Sequence, residues 1–290
     1  MADQVRTARG GALAGYAALV TGGGTGIGKA CAARLAADGA VVTICGRTEK
    51  RLVAAAEEIG KSAADGGSVR YVVADVTSEE DVRAAVAAAA EPTGGLDACV
   101  ANAGGDAEYT QPLHLQDVGI YSSVLELNVV GTLLSIKHTL PLLVASGHGS
   151  FVGMSSIAGH QTHPYFGAYT AGKAGVEALI RNAADEYGPT QTRFNAVRPG
   201  FITTEIMEQV PRDSPVYASY LDQTPMRDVG APEDVANLVR FLIGPESRWI
   251  TGQAINVDGG NGLRGGPDFS SWIKGNPDQD TILARKPLES

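Results

Sequence analysis

Short apolar runs alternate along this chain with longer segments whose apolar positions recur at helical spacing. Such runs are typical of buried strands, and the longer segments are typical of helices that pack one face on a sheet. Strands are predicted at 17–20, 41–45, 69–73, 98–101, 151–154, 193–197 and 254–257, and helices at 27–37, 49–59, 79–90, 120–144, 169–187 and 233–243. This βα alternation predicts an α/β domain with a doubly wound parallel sheet of about seven strands and helices on both faces.

The same pattern sets the expected domain limits. We expect a flexible N-terminal tail at 1–13, a single domain at 14–262, and a C-terminal extension at 263–290. Within the domain, the segment near 201–228 has many apolar side chains, which is typical of a mobile lid with an apolar inner face. Core packing explains any one of those side chains about equally well.

The C-terminal extension is rich in Gly, Pro and Asp, yet it carries three large apolar residues, Phe269, Trp272 and Ile273. These side chains could anchor the extension on a neighbouring subunit. A disordered tail is the competing interpretation.

Composition narrows the classes of partner. The chain has 290 residues with a net charge of −9, and an acidic chain without a basic stripe is a poor candidate for binding nucleic acid or an anionic membrane. No apolar run approaches the roughly 18 residues that span a bilayer, and the N-terminus lacks the apolar core of a secretory signal. We therefore expect no nucleic-acid partner, no membrane partner and a cytoplasmic location.

Cysteine and histidine usage adds little chemistry. Cys31, Cys45 and Cys99 lie in apolar runs and form no C-x-x-C pair, which predicts buried free thiols in a reducing cytoplasm. The histidines show no metal-ligand spacing, so no metal site is expected. His160 and His163 could line a pocket, but solvent-exposed loop positions fit them better.

A glycine-rich turn follows the first predicted strand. Gly22, Gly26 and Gly28 permit positive φ and let the backbone approach a pyrophosphate at a helix N-terminus. Their T-G-x-x-x-G-x-G spacing does not fit the G-x-G-x-x-G dinucleotide motif. A nucleoside-triphosphatase loop ending in Gly28-Lys29 is a rival, but Ala30 stands where a hydroxyl should bind Mg²⁺. A turn without a ligand is the third interpretation.

Tyr169 and Lys173 are the strongest candidates for catalysis. Four residues apart on a helix, they share one face, and a nearby ammonium lowers the pKa of a phenol from about 10. Such a phenol can serve as a general acid/base near neutrality. Ser156 precedes Tyr169 by thirteen residues, and its hydroxyl could hydrogen-bond the reacting oxygen. The Tyr–Lys spacing alone also fits an ordinary pair on a helix surface. The spacing to Ser156 and the glycine turn favour a catalytic site instead.

Together these motifs resemble the short-chain dehydrogenase/reductase family, in its branch with TGxxxGxG and YxxxK motifs, over about residues 14–262. The resemblance implies a Rossmann-like fold and NAD(P)-dependent interconversion of an alcohol and a ketone or aldehyde, without a metal. It assigns catalysis to Ser156, Tyr169, Lys173 and Asn128. In the family, the asparagine bends a helix and holds a water linked to the lysine.

The resemblance also assigns the cofactor-binding residues. They are Gly22, Thr25, Gly26, Ile27 and Gly28 in the turn, Arg47 after the second strand, Asp75 and Val76 at the adenine, Asn102, Ala103 and Gly104 in an NAG motif, Tyr169 and Lys173, and Pro199, Gly200, Ile202 and Thr204 at the nicotinamide carboxamide. Ala101 stands where the family often has Asn. Asp75 and Thr204 could instead serve only their neighbouring helices as caps.

The cofactor choice depends on the end of the second strand. NAD enzymes place an acid there, which binds the ribose 2′-OH, but this chain has Gly46, followed by Arg47 and, one turn on, Arg51. A guanidinium binds a 2′-phosphate, and no carboxylate repels it. This favours NADP(H). Thr25 occupies a place that is basic in many NADP-dependent relatives, so NAD(H) stays as the alternative.

Several functional alternatives remain at this point. The substrate is expected to be an apolar small-molecule alcohol or ketone, alicyclic or steroid-like. A 3-oxoacyl carrier-protein or CoA reductase is a rival, as is a non-catalytic NAD(P)-binding sensor. An enoyl reductase fits less well, because the related branch spaces Tyr and Lys more widely. The family assembles through the helices that carry Asn128 and Tyr169, so a homotetramer, or else a dimer, is expected.

Overall fold

A parallel sheet forms the centre of the computed structural model, which describes residues 11–105, 110–205, 207, 210–264 and 278–285. Its strands are β1 (Ala17–Thr21), β2 (Val41–Gly46), β3 (Ser68–Val73), β4 (Ala98–Ala101), β5 (Ser150–Met154), β6 (Arg193–Pro199) and β7 (Ala254–Val257). They are arranged in the order β3-β2-β1-β4-β5-β6-β7, and every pairing is parallel. The prediction of a doubly wound parallel sheet of about seven strands is confirmed.

Helices cover both faces of this sheet. They are α1 (Gly26–Ala36), α2 (Glu49–Gly60), α3 (Glu79–Ala90), α4 (Val118–Leu125), α5 (Gly131–Ser146), α6 (Gly167–Tyr187), α7 (Pro215–Gln223), α8 (Pro232–Ile243) and the short α9 (Gln279–Ile282). Successive residues of a strand point to opposite faces, and β1 shows this directly. Val20 packs with Leu35 of α1, whereas Leu19 packs with Ile180 of α6. The fold therefore has two cores, one on each face.

The order of the strands fixes where a ligand can bind. The chain runs from β1 outward through β2 to β3, then crosses to β4 on the other side of β1 and continues outward through β5 and β6 to β7. In open parallel sheets such a switch point leaves a crevice beyond the carboxyl ends of the strands. The segments that follow β1, β4, β5 and β6 meet at this edge.

The long helix predicted at 120–144 is interrupted. The structure has α4, then a π-helical turn over Glu126–Val130, and then α5. The whole run, Val118–Ser146, is long and apolar enough to cross a membrane by length and composition alone, which corrects the expectation that no segment approaches that length. Here α5 packs on α3, and α4 packs on α6, within the sheet domain.

The N-terminal limit also differs from the expectation. Leu13, which the sequence places in a tail, is fully buried, and its N–H donates to the carbonyl of Asp38 at 3.0 Å. Residues 1–10 and the predicted anchors Phe269, Trp272 and Ile273 lie outside the described residues. Cys31, Cys45 and Cys99 are buried free thiols, as predicted.

Candidate active site

Ser156, Tyr169 and Lys173 come together at the carboxyl end of β5. Ser156 follows this strand and begins a 3₁₀ turn over Ile157–Gly159, where its Oγ accepts a hydrogen bond from the Ala158 N–H at 3.2 Å. Tyr169 lies in the first turn of α6 and Lys173 one turn later. The Ser156 side chain lies near enough to the phenol of Tyr169 to lower its pKa. The structure therefore brings the predicted trio together.

The phenol of Tyr169 is held in its protonated form. Burial raises the pKa of Tyr169 above its ordinary value of 10, the Ser156 side chain works in the opposite direction, and nearby Tyr220 adds to the rise. Lys173 Nζ lies 5.6 Å from the centroid of the Tyr169 ring. The sequence predicts a pKa lowered by Lys173, but in this structure burial has the larger effect. A protonated phenol is the form that donates a proton.

Lys173 is buried, with 5% of its surface exposed. Its Nζ donates a hydrogen bond to the carbonyl of Met154, the last residue of β5, at 3.0 Å. Burial lowers the pKa of Lys173 to about 8, because desolvation disfavours the charged form. The ammonium is therefore the main form at neutral pH but is lost over a modest rise in pH.

Asn128 sits in the π-helical turn and is 1% exposed. Its Nδ2 donates to the carbonyls of Val124 at 2.9 Å and Gly105 at 3.1 Å, and its Oδ1 accepts from the Gly105 N–H at 3.2 Å. The side chain thus takes the carbonyl that the backbone N–H of residue 128 would use in a regular α-helix. This contact gives a physical reason for the local widening of the helix.

Gly104 brings Asn128 and Lys173 into one polar group. A Cβ at Gly104 would lie 2.7 Å from Asn128 Oδ1 and 3.0 Å from Lys173 Nζ. No larger residue fits without moving one of these two groups. The NAG segment is therefore shaped to keep the amide and the ammonium side by side.

The glycine turn between β1 and α1 is braced by the same NAG segment. Thr21 Oγ1 accepts from the N–H groups of Asn102 and Ala103 at 3.0 and 2.9 Å, and Asn102 Nδ2 donates to the Thr21 and Gly22 carbonyls. Gly22 has a φ of +66°, and a Cβ at Gly28 would lie 2.2 Å from the Gly22 carbonyl oxygen. Sequence reasoning quoted Thr21 only as part of the motif and missed its bracing role.

This turn fits the pyrophosphate of a dinucleotide. Thr25 is the N-cap of α1 and makes no side-chain capping bond, so the first-turn N–H groups of the helix keep their donor capacity. An anion is stabilised at such an end. A Cβ at Gly26 would lie 3.2 Å from Thr204 Cγ2, which brings the segment after β6 against the turn. Ile27, in the first turn of α1, is half-buried.

Arg47, Asp75 and an open position at Gly46 lie beyond the ends of β2 and β3, where the sequence predicts adenine binding. A Cβ at Gly46 would meet only Leu52 Cδ2, at 3.7 Å. Asp75 accepts from the Thr77 N–H at 2.9 Å and from its hydroxyl at 2.8 Å. These bonds hold the pKa of Asp75 below its usual range, the backbone bond first, and Arg47 contributes. Asp75 therefore also holds the turn before α3. This is close to the local capping role that the sequence left open as an alternative.

The segment after β6 borders the glycine turn through Thr204. Pro199 is the last residue of β6, and a Cβ at Gly200 would lie 2.8 Å from Asp258 Cα. Ile202 is buried and bridges to Gly230. This packing fixes the course of the chain up to half-buried Thr204. On the adenine side, Val76 is likewise buried.

A cleft of about 720 Å³ opens between the loop 160–166, α7 and the turn at 261–264. The Phe166 ring, which lines it, meets the Tyr169 ring edge-on with centroids 6.4 Å apart. Tyr220 also lines it and stacks on Phe201 at 4.6 Å. His160 and His163 both line the cleft, His160 as an exposed residue and His163 as a half-buried one. The cleft therefore leads to the phenol.

A buried ionic group next to the site escaped sequence reasoning. Glu177 accepts from Arg198 Nε and Nη2, both at 2.6 Å, and from Ser155 Oγ at 2.9 Å. Ser155 Oγ also lies 3.2 Å from the Lys173 carbonyl oxygen. The partners are more than 20 residues from Glu177 along the chain, so no local pattern announces them.

Comparison with known proteins gives a consistent picture. The family model described as Enoyl-(Acyl carrier protein) reductase matches residues 22–261. Cis-4-hydroxycyclohexanecarboxylate dehydrogenase of Sinomonas cyclohexanicum is 38% identical over 250 residues, 86% of this chain and 97% of the relative. Glucose 1-dehydrogenase of Gluconobacter oxydans is 34% identical over 264 residues, which are 90% of this chain and 96% of the relative.

A solved structure is also similar. A short-chain type dehydrogenase/reductase from Mycobacterium ulcerans is 41% identical and has a TM-score of 0.84. The match covers 92% of this chain and 97% of that one. The likeness therefore extends over the sheet, the glycine turn and the Tyr–Lys helix together.

Proposed function

This chain belongs to the short-chain dehydrogenase/reductase family and is an NAD(P)-dependent oxidoreductase acting on CH–OH groups, and we propose that Tyr169 is its general acid/base. The observation that carries the proposal is the position of Tyr169, whose phenol lies near the Ser156 side chain and whose ring meets the ring of cleft-lining Phe166. The nicotinamide, when bound, supplies or accepts the hydride.

Each of the four predicted catalytic side chains has its own role in the reaction. In the reduction direction, Tyr169 donates its phenolic proton to the substrate oxygen while Ser156 hydrogen-bonds that oxygen and orients it. Lys173 would hold the ribose hydroxyls of a bound cofactor with its ammonium. Asn128, packed beside Lys173 at Gly104, connects the lysine through water to the source of the next proton. In oxidation the same groups act in reverse.

We assign cofactor binding to the glycine turn, the NAG segment, Asp75, Val76 and the segment from Pro199 to Thr204. Helix α1 offers uncapped N–H donors to the pyrophosphate. NADP(H) is the favoured cofactor, because Arg47 is exposed at the adenine side and Gly46 offers no carboxylate. NAD(H) is the alternative.

We propose an alicyclic alcohol or ketone with an apolar frame as the substrate. The cleft has an apolar wall that includes Phe166, Val216 and Tyr220, and a relative is named for a hydroxylated cyclohexane. The 3-oxoacyl reductase is the second candidate, supported by the matched family description, which names acyl carrier protein. A sensor without catalysis has no use for a Ser156 side chain placed near the phenol of Tyr169.

A substrate panel tests the proposal. NAD(P)H oxidation is followed with cyclohexanones, a steroid ketone and acetoacetyl-CoA, and NAD(P)⁺ reduction with the matching alcohols. The proposal expects the highest kcat/KM for the ring compounds. Preference for the thioester would favour the acyl reductase, and cofactor binding without any turnover would favour the sensor.

We further infer a homotetramer, or else a dimer, and a cytoplasmic location without nucleic-acid or membrane partners. Large apolar side chains exposed on the α4–α5 run support assembly. The three buried free thiols fit a reducing compartment.

A further inference from the structure

The cleft beside Tyr169 carries a positive charge in its lining and no negative one. With histidine counted as neutral, Arg264 is the one charged side chain among the described lining residues, and no carboxylate is among them. The chain as a whole carries 32 Asp and Glu against 23 Lys and Arg, so this lining differs in sign from the average surface. A cleft lined by one sign of charge concentrates ligands of the opposite sign. The pattern therefore points to an anionic ligand.

Hydrogen bonds fix the backbone of the turn that carries Arg264. Asn261 is buried and donates to Thr224 Oγ1 at 3.3 Å, and the Gly262 N–H donates to Asp258 Oδ2 at 2.9 Å. The Arg264 N–H in turn donates to the Asn261 carbonyl at 3.1 Å. These bonds place the start of the arginine side chain at the rim of the cleft.

The guanidinium itself is free to take a ligand. Arg264 is exposed, and none of the ion pairs among the described residues includes it. A guanidinium matches the two oxygens of a carboxylate in a bidentate geometry. Amide side chains of Gln161 and Gln223 also line the cleft and can hydrogen-bond the same group.

Aromatic rings connect Tyr169 to the lining of the cleft. The Tyr169 ring is followed by the Phe166 ring at 6.4 Å, and that ring by the His163 ring at 6.5 Å. Phe166 and Val216 line the same cleft as Arg264. A ligand that fills the cleft can therefore combine an apolar frame with an anionic group.

We infer that the substrate is an alicyclic alcohol or ketone that also carries a carboxylate, and that Arg264 binds this carboxylate. The inference rests on the proposed function and makes the substrate class narrower. It also identifies Arg264 as a specificity-determining residue.

Binding of unreactive ligands tests the inference without turnover. Cofactor-loaded protein is titrated calorimetrically with cyclohexanecarboxylate and with its neutral analogue cyclohexanecarboxamide. We expect the acid to bind about tenfold more tightly than the amide, the effect of one partly exposed charged contact. Added salt should reduce the difference.

Arginine variants locate the effect. Arg264→Gln should weaken binding of the acid about tenfold and leave the amide within about twofold. Arg248→Gln is the matched control, because Arg248 is also exposed but does not line the cleft. It should change neither affinity.

Three results would overturn the inference. The two ligands could bind with equal affinity, neither could bind, or Arg264→Gln could weaken the acid and the amide to the same extent. Turnover of neutral ring ketones without any preference for the acid would refute the inference and leave the proposed function standing. Absence of turnover with the whole panel would refute the proposed function, while the Arg264-dependent binding is still measured separately.

Discussion

At the residue scale, the burial of Lys173 sets an upper pH limit for cofactor binding. Burial lowers the pKa of Lys173 to about 8, and a lysine is charged below its pKa. We therefore predict that kcat/KM for the cofactor falls as pH rises through about 8, because kcat/KM reports the free enzyme. Initial rates against pH measure this. In Lys173→Arg the guanidinium keeps its charge, so the remaining activity should lack this decline. An unchanged kcat/KM well above that pH in the wild type would contradict the prediction.

Gly46 and Arg47 carry the prediction on cofactor choice. There is room for a side chain at Gly46, since a Cβ would meet only Leu52 Cδ2 at 3.7 Å. Gly46→Asp with Arg47→Ala adds a repulsion toward a 2′-phosphate and removes a contact. We predict that the ratio of kcat/KM for NADPH to that for NADH falls by about tenfold or more. Arg83→Ala, an exposed change on α3, is the control. A wild-type kcat/KM for NADH equal to or higher than that for NADPH would contradict the assignment.

At the element scale, Glu177 joins α6, β6 and the end of β5. Its side chain is 4% exposed and is bonded to Arg198 and Ser155. Glu177→Gln leaves a largely buried guanidinium without its counter-ion, so we predict a loss of about 3 kcal/mol in the free energy of unfolding. Chemical denaturation measures it. Glu58→Gln, in an exposed pair with Lys29, should cost less than about 1 kcal/mol. Similar losses in both variants would contradict this role.

The same pair predicts a pH dependence with a defined sign. Burial acts to raise the pKa of Glu177, but hydrogen bonds from Arg198 and Ser155 lower it below its ordinary value of 4.5. Stability from a lowered carboxyl pKa is present above the unfolded-state value and lost as pH falls through the folded one. The stability difference between wild type and Glu177→Gln should therefore shrink below about pH 4.5.

Local patterns predicted the elements better than the contacts between them. Apolar runs placed β2 and β5 within a residue of their observed ends. Helical periodicity continues through 126–130, so it could not reveal the π-helical turn, which depends on Asn128 contacting Gly105, 23 residues away. The Glu177 group is hidden for the same reason.

At the scale of the whole molecule, βα alternation was sufficient for the parallel sheet, because parallel strands require crossover helices. The Tyr–Lys pair could be read from helical spacing, and Ser156 from its distance to Tyr169. The cleft could not be predicted from the sequence, because Arg264 and the 160–166 loop come together only in the folded chain. Sequence alone could not weigh burial against charge either, and so gave the wrong direction for the pKa of Tyr169.

Assembly is a prediction for the whole molecule. Leu133 on α5 is 46% exposed, on the helix through which we expect subunits to pack. Leu133→Glu should shift the tetramer toward smaller species, as measured by light scattering, because it would bury a charge in the interface. Val216→Glu, 56% exposed but lining the cleft, should leave the assembly unchanged. A wild-type monomer at micromolar concentration would rule out the tetramer.

The central claim is that the phenolic hydroxyl of Tyr169 moves the proton in alcohol–carbonyl exchange. The most direct measurement is turnover of Tyr169→Phe with the best substrate of the panel, together with its cofactor affinity. Tyr187→Phe, at the other end of α6, is the control and should retain wild-type turnover. The account predicts that Tyr169→Phe binds cofactor but loses about 10²–10⁴-fold in kcat, the usual contribution of general acid catalysis. Near wild-type kcat in Tyr169→Phe would contradict it.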